Sequence, residues 1–305
     1  MLKYIIKDIY GNETVFRKPL KVNFVSSEDA PADSLTAVFS ADGTIYPLLS
    51  IEVLDNNDRI FFGYIDTQSD EQTVSGIFLT VTARSVAGIL LDNEALPQTY
   101  SMVSMNDLMK RHFEPFGFHH FKGTRKTFDD EFIITKGMSE WAVLANFCKK
   151  FTGTVPKIDC YGNIDISENK DNDCIYISSN QCISKKHTLK RHILISMIME
   201  RAAVSDGYVM PFEDELAKSL KVNKKRYINT VDNKNLSPMS ARNILDNADN
   251  KYEQVILEIS GCIICRVGDE LIIDNEDKKY IIKEIHYSLG VEGEKTRVYA
   301  EVKYI

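Results

Sequence analysis

Short runs in which apolar and polar residues alternate fill the first eighty positions. Residues 2–9, 14–25, 34–39, 51–54, 59–67 and 73–82 are rich in β-branched and aromatic side chains, and each reads as a strand. Turn signals divide them at Gly11-Asn12, Asp42-Gly43 and Asp55-Asn56-Asn57-Asp58, the last placed like a hairpin tip. Strands this short and this closely spaced predict a small barrel or sandwich.

The pattern changes at Ala83–Ala95. Ser85 is placed to cap a short helix whose apolar side is Leu90 and Leu91, ahead of an acidic stretch and Pro97. A β-domain of residues 1–95 therefore closes here, and an α+β middle module of residues 96–168 opens. Ser104 and Asp107 have capping-box spacing, and Met105, Leu108, Met109 and Phe113 follow at helical intervals up to Pro115 and Gly117. A second helix starts near Ser139, with Trp141, Leu144, Ala145 and Cys148 on its apolar stripe and Gly153 at its end. On that reading Trp141→Ala costs about 3–5 kcal/mol. Tyr161-Gly162-Asn163 then turns a hairpin.

Residues 169–305 return to strands, with a helical interruption at 238–250 begun by Ser237-Pro238. A hairpin is expected around Ser205-Asp206-Gly207, and three strong strands over 255–273, 280–289 and 296–304 close the chain, the first broken near Gly261 and Gly268. The predicted fold class is mainly β with an α+β insert: two β-domains separated by a helix-helix-hairpin module.

Composition adds little to this and excludes some classes. Hydrophobic residues at 44% and charged residues at 27% are ordinary for a globular chain. No apolar run approaches a membrane span, and the N-terminus lacks the apolar block of a signal peptide. Synthesis in the bacterial cytoplasm without a leader is the expectation. The net charge of −7 lies in the first hundred residues, which hold 7 Lys+Arg against 14 Asp+Glu, so 7 − 14 = −7. Such a surface argues against gripping phosphate backbones.

Candidate chemistry is sparse. HExxH, GxSxG, P-loop and GxGxxG motifs are absent from the sequence. Six cysteines in a chain this long do not form a disulfide framework. Cys262 and Cys265 make a lone CxxC inside a strand-like apolar run with no further ligands nearby, which predicts buried, reduced thiols. Cys148 lies on a helix core stripe and is read as packing, not as a nucleophile. His119-His120 lies among Phe116, Phe118 and Phe121 and is read as packing a turn in preference to holding a metal. No catalytic, cofactor-binding or metal residue is therefore expected. The basic stretch 185–226, with Lys185, Lys186, Lys190, Arg191, Lys218, Lys221, Lys224, Lys225 and Arg226, is read as a solvated face, against the alternative of a patch for an acidic surface. Only Tyr227 is nearby to stack on bases.

Ala83–Ala95 with Pro97-Gln98-Thr99-Tyr100 resembles the baseplate hub proteins of contractile phage tails, the late-control-protein-D and tail-hub type. These also occur in phage-tail-like bacteriocins and are related to the hub part of type VI secretion spikes. The stretch from Gly137 through Trp141 to Gly153, with the Tyr161-Gly162-Asn163 hairpin, is similar to the family's middle module. Arg226-Tyr227-Ile228-Asn229, the 238–250 helix and Val267-Gly268-Asp269-Glu270-Leu271-Ile272 are similar to its second barrel. The resemblance implies two tube-like β-barrels per subunit and a homotrimer forming a six-fold-like ring. It implies a hexameric tail tube protein and a trimeric central spike protein as partners, with other baseplate and tape-measure proteins as further contacts. It implies no enzyme activity, cofactor, specific nucleic-acid binding or membrane insertion. The competing readings are a carbohydrate- or receptor-binding tail-tip module and a tail-associated cell-wall hydrolase.

Overall fold

The alternating first segment forms seven strands: β1 (Leu2–Asp8), β2 (Glu13–Phe16), β3 (Lys21–Ser27), β4 (Ser34–Ala41), β5 (Leu48–Asp55), β6 (Asp58–Thr73) and β7 (Gly76–Ser85). The computed structural model describes residues 2–42, 45–167, 172–201, 207–229, 241–274 and 276–303. The expected strand over 14–25 is two strands, because Pro19 sits between them and a proline cannot donate to a ladder. The expected hairpin tip at Asp55–Asp58 is present, with Asn56 and Asn57 both at positive φ, +52° and +104°. Inward-facing Tyr4, Ile6, Val22, Leu35, Phe39, Ile51, Phe61 and Val81 make one core.

The exit from β7 differs from the expectation. Helix α1 (Gly88–Asp92) starts after Ala87 and has no side-chain cap. Ser85 is the last residue of β7, and its hydroxyl accepts the Asp33 amide at 3.0 Å while its own N–H donates to the Asp33 carbonyl. A residue that ends a paired strand is not free to cap a helix three positions on.

The middle module carries β8 (Gln98–Tyr100), β9 (Val103–Ser104), α2 (Met105–Leu108), β10 (Phe121–Lys122), β11 (Thr127–Phe128), β12 (Phe132–Ile134), α3 (Glu140–Phe147), β13 (Lys157–Ile158) and β14 (Ile164–Asp165). The Ser104–Asp107 capping box forms in both directions, and Ser139 caps α3 through the Ala142 amide. A wide π turn extends each helix, Met109–Phe113 after α2 and Cys148–Thr152 after α3, and left-handed Gly117 and Gly153 end the segments. The buried face of α3 is Val143, Leu144, Phe147 and Cys148, so the predicted stripe is rotated. Trp141 is half-buried at the rim of this core rather than inside it.

The rest of the chain forms β15 (Cys174–Ile177), β16 (Cys182–Leu189), β17 (Met197–Arg201), β18 (Tyr208–Glu213), α4 (Glu215–Ser219), β19 (Lys225–Ile228), α5 (Ala241–Tyr252), β20 (Glu253–Ser260), β21 (Glu270–Ile273), β22 (Lys279–Gly290) and β23 (Gly293–Val302). The expected hairpin exists as β17 paired with β18; Ser205 and Asp206 of its turn lie outside the described residues, as do Ser237 and Pro238. Left-handed Gly261 (φ +86°) ends β20, so Cys262 and Cys265 fall in the loop to β21 and not in a strand.

The protein is mainly β, and its strands join differently from two separate barrels. Strand β22 pairs antiparallel with β3, which welds both halves into one thirteen-stranded sheet ordered β16-β20-β23-β22-β3-β4-β7-β6-β5-β1-β2, with β21 and β15 branching from β22. Among the described residues that path is open at β16 and at β2. A separate three-stranded sheet, β18-β17-β19, packs one face on α5. No helix of the described residues is long and apolar enough to cross a membrane.

Candidate functional site

Where the three regions meet they enclose a cleft of about 590 Å³. Its apolar walls are Tyr4, Phe24 and Phe61 from the first sheet, Ile285 and Tyr287 from β22, and Trp141 from α3. Its polar rim holds Asp33, Lys157, Asp165, Arg266 and Asp269, and its thiols are Cys160, Cys262 and Cys265. Two observations show that the rim groups fasten modules together. The Lys157 amine of β13 donates to the Val267 carbonyl in the β20–β21 loop. Gly268, at φ +96°, leaves the space that amine occupies; a Cβ there would overlap it. Burial pushes the Lys157 amine down, and loss of water pushes the Asp33 carboxyl up.

The β13–β14 hairpin also leans on the first sheet. Arg59 of β6 bonds to Glu52, and its guanidinium lies 5.0 Å from the Phe62 ring centroid and 5.1 Å from that of Tyr161, the residue at the hairpin tip. The Cys160 thiol donates to the Arg59 carbonyl at 3.2 Å. The turn itself is set by Asp159, whose carboxylate accepts the Tyr161 and Asn163 amides and the Asn163 side chain.

At the other contact, Arg84 of β7 binds Asp66 of β6 and Asp92 of α1 through two hydrogen bonds each. The hydrogen bonds it donates to Asp66 and then to Asp92 hold the Arg84 guanidinium above its ordinary value, and Asp92 is correspondingly lowered.

Inside the middle module, sequence reasoning passed over a buried polar network. His112 Nδ1 lies 2.8 Å from Glu140, and its Nε2 lies 3.0 Å from both the Tyr100 hydroxyl and the Gln98 amide. His112 is 1% exposed and Glu140 5%. With the proton on Nδ1, the imidazole donates to Glu140 and accepts from the other two. An acidic residue in the first turn of α3 was the available signal, since that position also favours negative charge.

The candidate residues fall as follows. Cys148 is fully buried in the helical core. His119 and His120 are exposed, so they do not pack the turn as expected. Burial first, then neighbouring carboxylates, push the Cys262 thiol up to about 11; burial and Asp269 push Cys265 up to about 12. Thiols held protonated at neutral pH are poor nucleophiles and poor ligands. Among the described residues no group of three His, Cys, Asp or Glu side chains comes together as a metal cage. Several cations of 185–226 are fastened to the chain itself: Lys185 to Glu276, Lys218 to Glu213, Lys224 to the His192 carbonyl and Arg191 to the Lys221 carbonyl.

No family model matches the sequence, and no curated protein matches it. Solved structures share its fold from end to end. The tail protein from Neisseria meningitidis aligns with a TM-score of 0.76 at 15% identity, covering 98% of this chain and 96% of that one. The 43 kDa tail protein of prophage MuSo2 from Shewanella oneidensis aligns with a TM-score of 0.79 at 13% identity, covering 98% of each. The E. coli c3393 protein, a type VI secretion component with structural similarity to the T4 tail proteins gp27 and gp5, aligns with a TM-score of 0.61 at 9% identity over 100% of this chain and 77% of that one. At such identities the likeness is one of fold.

Proposed function

We propose that this chain is a structural hub subunit of a contractile tail or tail-like particle, with no catalytic role. Three copies form a ring in which residues 1–95 and 169–305 each supply a tube-like unit, giving six similar positions, while residues 96–168 project from it. One end of the ring meets a hexameric tube and the other a trimeric spike. The observation that carries this reading is a fold shared over 96–98% of the length of two tail proteins. The cleft fits the same reading: its polar groups tie modules together, and a symmetry adaptor needs rigid modules and interfaces in preference to a reacting centre. The acidic first hundred residues suit a lumen past which acidic cargo slides.

The test is sedimentation of the purified protein alone and with the tube and spike proteins of the same particle. A trimer, or a monomer that trimerises on adding either protein, is expected. A monomer that binds neither overturns the proposal.

A further inference from the structure

The large sheet holds one four-strand unit twice, as β16-β20-β23-β22 and then as β3-β4-β7-β6. In β6–β7, seven cross-strand pairs run from Thr73↔Gly76 at the turn to Thr67↔Thr82, and a bulge follows before Ile65↔Ala83. In β22–β23, seven pairs run from Gly290↔Gly293 to Glu284↔Tyr299, and a bulge follows before Ile282↔Ala300. Val74 and Val291 hold the same place in the two turns, and both are fully exposed. The remaining pairings, β7 with β4 with β3 and β23 with β20 with β16, are all antiparallel. Strand β6 therefore corresponds to β22, and β16 to β3.

The two units differ at one junction. Beyond its bulge, the outer side of β22 is filled by β3, from Glu284↔Ser27 to Leu289↔Val22. Beyond the matching bulge of β6, the outer side of Ser69–Thr73 is free among the described residues, because β5 stops pairing at Tyr64. Strand β16, the counterpart of β3, ends the sheet path with its own outer side unpaired among the described residues. One edge is shaped like a site that is filled elsewhere in the chain, and the other like the strand that fills it. Such edges receive strands.

We infer that β6 of one copy receives β16 of a second copy, in the register that β22 uses for β3. The correspondence fixes that register residue by residue. Val38 opposite Thr80 matches Glu258 opposite Arg297, so their outer partners Lys21 and Ser184 match as well. Two residues on, Lys186 matches Asn23, which faces Ser288, the counterpart of Glu71. Glu71 of one copy thus lies opposite Lys186 of the next, with Asp70 opposite His187 and Gln72 opposite Lys185. Backbone pairing alone sets this alignment, yet it brings two exposed carboxylates onto an exposed basic strand. Opposite charges directly across a strand pair are stabilising and select the partner. The two edges differ, so the contact is head-to-tail. In a ring of three copies it alternates with the β3–β22 junction inside each subunit, giving six like junctions. The inference rests on the reading of the chain as a ring subunit and assigns that ring its contact.

Cross-linking between copies tests it. Glu71→Cys chains are mixed with Lys186→Cys chains, both also carrying Cys174→Ser to remove the exposed native thiol. The mixture is oxidised with copper phenanthroline, alone and with the tube and spike proteins of the same particle, and read on a non-reducing gel. Joined chains are expected from the mixture, and neither from each variant alone nor from Glu71→Cys mixed with Val209→Cys, an exposed position on the separate sheet. By sedimentation, Glu71→Lys and Lys186→Glu should each weaken self-association about threefold, and the two together should restore it. A mixture that cross-links no better than the Val209 control overturns the contact, as does association indifferent to both reversals or a chain that stays monomeric in every condition. Binding of tube or spike, scored in parallel, decides the hub reading separately: trimers that form without the cross-link leave that reading standing and remove this contact.

Discussion

Arg84 and Asp92 face each other through two hydrogen bonds, Nη1 to Oδ1 at 3.0 Å and Nη2 to Oδ2 at 2.7 Å, while the same guanidinium holds Asp66. One side chain on the last strand of the first segment thereby fixes the angle at which α1 leaves the sheet. Gly88 assists, since a Cβ there would press on the Arg84 side chain. Arg84→Lys keeps the charge and loses the fork. The site is partly exposed, so the expected loss is about 1 kcal/mol, read by urea denaturation. A loss no larger than that of an exposed Arg17→Lys control would assign the fork no positional role.

Trp141 stands at the rim of the helical core and on the cleft wall. Its truncation therefore costs less than that of a fully buried aromatic: about 1–2 kcal/mol for Trp141→Ala, against about 3–5 kcal/mol for Phe147→Ala deep in the same core. Melting temperatures of the two variants give the comparison; equal losses would place Trp141 back in the core.

His112 and Glu140 form a buried pair, and removing one partner strands the other without water. His112→Ala is expected to destabilise by about 3–5 kcal/mol. Replacing both by Leu and Met restores much of that, because two apolar groups leave no unpaired charge. Calorimetry of the single and double variants separates a costly orphan from a generally intolerant site.

Asp249 on α5 is pushed up to about 7, first by burial and then by Asp214, which caps α4 across the contact. One of its oxygens is buried without a hydrogen-bond partner. A carboxyl raised in the folded state holds its proton there more tightly than in the unfolded chain. Its stabilising contribution is complete below about pH 4 and fades as pH rises through about 7, where two carboxylates face each other. Asp249→Asn should flatten melting temperature over pH 5–8 and be the more stable protein at pH 8. An unchanged slope would remove this carboxyl from the acid-base behaviour of the fold.

Cys174 is exposed, whereas Cys148 is buried and Cys262 and Cys265 are raised to about 11 and about 12. A thiol reagent at pH 8 should label Cys174 first in the native protein and reach Cys148 and Cys265 only with denaturant. Rapid native labelling of Cys265 would mean that the β20–β21 loop opens.

Local features of this fold were legible wherever one chemical device decides them. The Ser104–Asp107 box, the Ser139 cap, the Asn56-Asn57 turn and the Gly153 stop each need only a few neighbouring residues. What escaped depends on distant ones. The rotated face of α3 follows from which side meets α1 and β12, and the π turns shift helical phase by a residue. Ser85 reads as a cap locally because its partner, Asp33, is 52 residues away. The polar ties at Lys157, Arg59 and His112 pair side chains with groups on other elements and leave no periodic trace. Likewise, the weld between β3 and β22 joins two strands that each read simply as half-buried.

That weld also sets a timetable. Ser27 pairs with Glu284, so one whole side of β3 has no partner until nearly the entire chain has left the ribosome. Loop closure over such a span is slow, and an unpaired strand edge invites association with other nascent chains. Newly made chains thus pass through a stage in which the first seven strands are folded but sticky. Coordinated release, high chaperone occupancy or low expression temperature should raise the yield of soluble protein. A version truncated before β22 should aggregate, because it leaves the β3 edge unpaired and lacks Tyr287, which is buried in the first core.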